Sequence, residues 1–118
     1  MNAPAAPLDR LALIVVKDAV ALGLLSDAER ALVLGLAWRA FPAERGLAER
    51  EVNEALKAQL GGALACLATD HVELRRWLVD GGWLVRDGYG REYRRVEPPA
   101  LPEGARRIAQ ALSIIEPA

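Results

Sequence analysis

The chain has 118 residues, with 15 Lys+Arg against 16 Asp+Glu, a formal net charge of −1 and one cysteine. That length suits a single domain, which buries roughly two thirds of its unfolded surface and needs neither disulfide nor metal to fold. The balanced charge argues against a generic polyanion binder, although local fields matter more than totals. The lone Cys66 cannot form an internal bridge, which fits a reducing cytoplasm. The first ten residues lack the basic region of a secretory signal. The apolar run Leu11 to Val16 is cut off by Lys17-Asp18, far too short to cross a bilayer. A cytoplasmic protein with no membrane contact is therefore expected. All cationic residues but Lys17 and Lys57 are arginine. Arginine makes planar, bidentate contacts to phosphate, base edges or carboxylate. It is also the usual basic residue of GC-rich genomes, alongside high alanine, and that compositional explanation comes first.

Residues 1–7 are rich in Ala and Pro. Pro7 and Asp9 can start a helix that runs to about Leu24, apolar on nearly every side and so requiring cover. The block Leu13 to Val16 also suits a strand. Ser26-Asp27-Ala28-Glu29 is a capping box and predicts a helix from Asp27 to about Ala40. Its apolar stripe is Leu32, Leu36 and Ala40 with Val33, Ala37 and Phe41 beside them, and Pro42 stops it. A second helix is expected from Glu49 to Leu60, with acidic residues in its first turn and Val52, Leu56 and Leu60 on one face. Gly61-Gly62 should break it, and Ala63 to Thr69 reads as a short apolar helical turn. A third helix begins near Asp70; Asp70 or Thr69 can cap it, Glu73 completes an Asp-x-x-Glu box, and Leu74, Trp77 and Leu78 form its inner face. Gly81 and Gly82 end it. Two β-prone runs, Trp83 to Arg86 and Arg91 to Val96, bracket Asp87-Gly88-Tyr89-Gly90 and predict a hairpin. So small a hairpin must pack on the helices, through Leu84 and Tyr93. A last helix, about Glu103 to Ile115, carries Ile108, Leu112 and Ile115 on one side.

The expected fold class is mainly α with a small β-hairpin. Helix, helix, helix, hairpin is the order of a winged helix-turn-helix, here with extra N- and C-terminal helices. The expected organisation is an N-terminal extension over 1–25, a winged-helix domain over 26–97 and a C-terminal helix over 98–118.

The residues Glu51-Val52-Asn53, Asp70, Leu74-Arg75-Arg76-x-Leu78-Val79-Asp80-x-Gly82-x-Leu84-x-Arg86, Gly90 and Tyr93-Arg94 carry a resemblance. They resemble the pattern of the bacterial family catalogued as domain of unknown function 2087, over about Asp27 to Val96. The resemblance implies a winged helix and a role beside transcriptional regulators, with no assigned activity. The chain departs from that pattern in its longer spacer over 61–67, in Ala48 where a capping Ser or Thr is usual, and in Trp77 at a commonly polar position.

Two function classes compete on the residues themselves. In the first, the chain binds double-stranded DNA: Arg75 and Arg76 face the major groove, while Arg86, Arg91, Arg94 and Arg95 lie on the wing near phosphates. In the second, the arginines are neutralised internally and the winged helix is a protein-interaction module. Asp70, Glu73, Asp80, Asp87 and Glu92 lie among the six arginines, and Glu51 and Asn53 on the second helix can also pair with Arg75 or Arg76. A structural polar network of Glu51, Asn53, Asp70 and Asp80 is expected, with Arg75 or Arg76 paired to Glu51 or Asp80. No nucleophile–base set, phosphate loop or dinucleotide motif occurs, so no enzyme activity and no cofactor are expected. His71 and Cys66 alone do not make a metal site, and His71 reads as a solvated surface residue. Trp77 and Trp83 read as core residues, and an exposed Trp77 would mark a subunit contact. The apolar terminal helices either cover each other within one chain or meet their copies in a homodimer.

Overall fold

The computed structural model describes residues 21–89 and 92–113. The helix expected before Ala21, the turn residues Gly90 and Arg91, and Ile114 and Ile115 lie outside the described residues. The expected N-terminal helix does not extend to Leu24. Leu22–Leu24 forms one 3-10 turn between extended Ala21 and Leu25. The Arg30 Nη1 donates to Leu22 O at 3.2 Å and Leu25 O at 3.0 Å, satisfying carbonyls at the end of this turn.

Helix α1 spans Asp27–Arg39. The Ser26 hydroxyl accepts from the Glu29 N–H at 3.1 Å and the Glu29 carboxylate accepts from the Ser26 N–H at 3.0 Å, so the capping box forms in full. The buried set differs from the expected stripe. Leu32, Val33, Leu34, Gly35, Ala37 and Trp38 are buried, Leu36 only in part, and Ala40 is exposed. The cause is that α1 is covered on a second side by α4, Glu103–Leu112, which follows a 3-10 turn at Pro98–Ala100. The two helices touch where α1 has no side chain: a Cβ on Gly35 would lie 2.8 Å from Leu112 Cδ1 and 2.9 Å from Ile108 Cγ2. Ala105, Ile108, Ala109 and Leu112 are thereby buried within the chain.

A two-residue strand, β1 (Leu47–Ala48), follows α1 and was not foreseen from periodicity. Helix α2 spans Glu49–Leu60 and buries Val52 and Leu56. Residues 61–66 are successive turns rather than a helical turn, and they bury Leu64 and Cys66. Helix α3 spans His71–Asp80 and buries Leu74 and Leu78. It stops in a Schellman motif: Gly82 N–H bonds Val79 O at 3.1 Å and Trp83 N–H bonds Leu78 O at 2.9 Å. That geometry needs the left-handed backbone of Gly82, at φ +81°.

The chain then enters β2 (Leu84–Arg86) and β3 (Glu92–Arg95). They pair antiparallel with Leu84 opposite Arg95 and Arg86 opposite Tyr93. Strand β1 adds to the other edge of β3, Leu47 opposite Tyr93, so the sheet has three strands in the order β1-β3-β2. The expected two-stranded hairpin is thus one part of a larger sheet. Leu84 and Tyr93 are buried, as their packing role requires. The described chain is mainly helical, four α-helices around a small antiparallel sheet.

The joint between α3 and β2 gives a direct test. A Cβ on Gly82 would sit 2.9 Å from Pro102 Cγ in a backbone that L-residues avoid. Gly82→Ala should therefore cost about 1–2 kcal/mol for the left-handed backbone, and more for the clash. Gly88→Ala, with nothing within 4 Å of the added carbon, should stay within about 0.5 kcal/mol of the parent. Urea unfolding of both variants checks this; equal midpoints would refute the account.

Candidate functional site

Helix α3 is set at its start by Asp70, whose Oδ1 accepts from the Glu73 N–H at 2.8 Å. The reciprocal half of the expected box is absent, because the Glu73 carboxylate accepts from the Thr69 hydroxyl instead. Leu74 and Leu78 turn inward, which leaves Val72, Arg76 and Asp80 exposed, with Arg75 between the two faces.

Arg75 does not pair with Glu51 or Asp80. Its Nη1 donates to Asn53 Oδ1 and lies 3.5 Å from Glu49 Oε1, and its guanidinium stands 5.9 Å from the Tyr93 ring centre. The Tyr93 hydroxyl donates to the same Glu49 oxygen at 3.3 Å. Glu49 and Asn53 are four residues apart and so share a helix face; that spacing was the signal from which Glu49 could have been named. Glu51, two residues from each, points to the opposite side of the helix. It accepts from the Ala48 N–H at 3.1 Å and pairs with Arg45 at 3.1 Å. Ala48 has no side-chain oxygen to return the contact, so α2 carries half a capping box. The Ala48 N–H, and then Arg45, hold the Glu51 carboxyl below its ordinary value.

The wing arginines separate by parity. Side chains alternate along a strand. Arg86 and Arg95 lie on the face of Leu84 and Tyr93, while Arg94 lies on the outer face beside Glu92, at 3.2 Å. Arg95 is tucked inward. It stacks 4.1 Å from the Trp38 ring centre, donates to Phe41 O at 2.9 Å and pairs with Glu97 at 3.2 Å. It is a structural staple rather than a surface contact. Arg91 lies outside the described residues.

Arg76 and Arg86 are different. Both are exposed and make no hydrogen bond or ion pair among the described residues. They line one groove of about 460 Å³ between α3 and the hairpin, together with Arg75, Asp80, Asp87 and Tyr93. Asp80 likewise has no partner among the described residues. On the opposite side of α3, Trp77 is half-buried under the Arg30 guanidinium, 4.4 Å from its ring centre. Trp83 is buried in the core and His71 is half-buried rather than fully solvated. Among the described residues no three His, Cys, Asp or Glu side chains come together to hold a metal ion. No described helix is long and apolar enough to cross a membrane.

Comparison with known sequences places these elements in a family. The family described as "Uncharacterized protein conserved in bacteria (DUF2087)" matches residues 26–95. That span runs from the α1 cap to the end of β3. No curated protein and no solved structure matches the chain.

Two outcomes follow from the polar network. Arg75→Ala removes a charge-assisted hydrogen bond from a half-buried side chain and should cost about 1.5–3 kcal/mol, whereas Arg76→Ala should fall within about 0.5 kcal/mol of the parent. Combining Arg75→Ala with Asn53→Ala should cost less than the sum of the two, as expected for residues in contact; strict additivity would show that they are not coupled. For Glu51, a lowered folded-state pKa means that its contribution is complete above the ordinary carboxylate range and is lost as pH falls through the folded value. Glu51→Gln should thus be less stable than the parent at neutral pH, and the gap should close in acid. A gap that is constant with pH in parallel denaturation series would show that the Glu51 charge plays no part.

Proposed function

The chain belongs to the bacterial family of domain of unknown function 2087, and from that premise we propose that it is a winged helix-turn-helix that binds double-stranded DNA as a transcriptional regulator. Helices α2 and α3 with the hairpin beside them supply the expected parts, and the sheet order β1-β3-β2 ties the hairpin to the segment between α1 and α2. Their connection, residues 61–70, is longer than the three- or four-residue turn of the simplest helix-turn-helix. The observation that carries the reading is the pair Arg76 and Arg86, cations on α3 and on the hairpin that have no partner among the described residues and open onto the same groove. Arg76 is the candidate reader of base edges, and Arg86 a candidate phosphate contact. Arg75 and Arg95 have structural roles in this account. A homodimer would set two recognition helices at the spacing of a palindromic site. The apolar side of α4 is already covered within the chain and does not serve that contact.

A second reading has its own support. Arg75, Arg94 and Arg95 are neutralised by Glu49, Glu92 and Glu97, and the hairpin exposes Val85 at 55% and Tyr89 at 84%. Those features suit a protein-interaction module without DNA. Neither reading assigns the chain a catalytic step.

Fluorescence anisotropy on duplex DNA separates the two. Under the DNA reading, log affinity falls linearly with log salt, by about 0.9 for each phosphate neutralised. Arg86→Ala should weaken all sequences alike and make that slope shallower by about one. Arg76→Ala should weaken binding and relax sequence preference. Absence of binding to any duplex at low salt would leave the interaction module.

A further inference from the structure

The groove between α3 and the hairpin holds more than a surface for a rod-like polyanion needs. Three guanidiniums, Arg75, Arg76 and Arg86, and two carboxylates, Asp80 and Asp87, line one concave space of about 460 Å³. Arg75 is held in place by Asn53 and Glu49, so its charge is positioned before any ligand arrives. Among the described residues Arg76 and Arg86 have no partner, and neither has Asp80. Tyr93 is buried at the groove wall, anchored through its hydroxyl to Glu49. The volume is within the range of small-molecule sites.

We propose that this groove binds a small phosphate monoester that also carries hydroxyl or amino donors. Paired guanidiniums match phosphate oxygens in bidentate geometry. The Asp80 carboxylate is the discriminating feature. An ionised carboxylate only accepts hydrogen bonds. A duplex backbone meets the groove with phosphate and ring oxygens, all acceptors, and so gives Asp80 no hydrogen bond. A free ester of the sugar-phosphate or nucleotide class offers its phosphate to Arg76 and Arg86 and its hydroxyl or amino groups to Asp80. The ligand would then sit between the two elements assigned above to DNA, and would compete with it. The ligand site itself does not depend on the DNA reading.

The test is an amide-shift and calorimetric titration of the full chain with adenosine monophosphate, ribose phosphate and glycerol phosphate, with inorganic phosphate and adenosine as controls. At least one ester should saturate the chain at or below ~10 mM and shift signals of residues 72–80 and 86–88. Inorganic phosphate should bind about tenfold more weakly, and adenosine not at all, because each lacks one half of the match. The double variant Arg76→Ala/Arg86→Ala should lose about tenfold or more in ester affinity. Asp80→Asn should narrow the ester's advantage over inorganic phosphate. Saturation by none of the esters, unchanged affinity in the double variant, or an ester no better than inorganic phosphate each overturns the proposal. Duplex DNA shifting these same signals while every ester leaves them still assigns the groove to the nucleic-acid backbone and also overturns it. Failure of duplex binding with ester binding intact removes the DNA reading and leaves the groove assignment standing.

Discussion

The burial of Trp83 against Trp38 is the constraint on which the rest of the structure depends. The rings meet at 5.5 Å and 55°, a tilted geometry that aromatic quadrupoles favour. Trp83 reaches that position only because the chain reverses at Gly82. Its carbonyl accepts from the Val96 N–H at 2.9 Å, and the Val96 carbonyl accepts from the Trp38 indole at 2.8 Å. Arg95 lies on the Trp38 ring. One aromatic pair therefore joins α1, the end of α3 and the base of the hairpin. With the base fixed, β2 lies beside α3, and the groove is lined by both.

The net charge of the chain says little about that groove; the placement of individual carboxylates decides it. Glu49 and Asn53 engage Arg75, Glu92 engages Arg94, and Glu97 engages Arg95. Each pairing answers a different need. Arg75 is half-buried between two helices, and a cation there requires hydrogen-bonded partners. Arg95 bridges carbonyls at the C-terminal end of α1, where unsatisfied acceptors collect. Arg94 sits on the solvated face of the sheet, where such a pair contributes little. Of the candidate arginines among the described residues, Arg76 and Arg86 are left without a partner, and the functional reading rests on these two.

The C-terminal helix changes the view of assembly. Its apolar side was a candidate for contact with a second copy. In the fold it lies across α1 at Gly35, and the absence of a side chain there lets the two backbones approach. The cover is therefore intramolecular for residues 103–112. This also explains why α1 is buried on more than one side, beyond what a stripe at helical spacing provides.

The sequence by itself determined the features built from short-range contacts. The Ser26–Glu29 capping box, the Asp70 cap and the break at Gly81-Gly82 involve partners within five residues, and the hairpin around Asp87-Gly88 pairs residues at most 11 apart, where spacing alone fixes geometry. The burial of Leu84 and Tyr93 was legible because so small a hairpin must pack on the helices. Membership of the family was legible for the same reason, since its motif is dense in these local signals. Only the tertiary structure decided the rest. Strand β1 has two residues, too few for a period to show, and exists because β3 offers it an edge. Arg75 finds Asn53 at a separation of 22 residues, Tyr93 finds Glu49 at 44, and Arg95 finds Phe41 at 54. Local spacing gave each arginine several carboxylates to choose from. The choice was made by the packing of Trp83 and Leu74, which sets the distance and rotation of one element against another before any charge is paired.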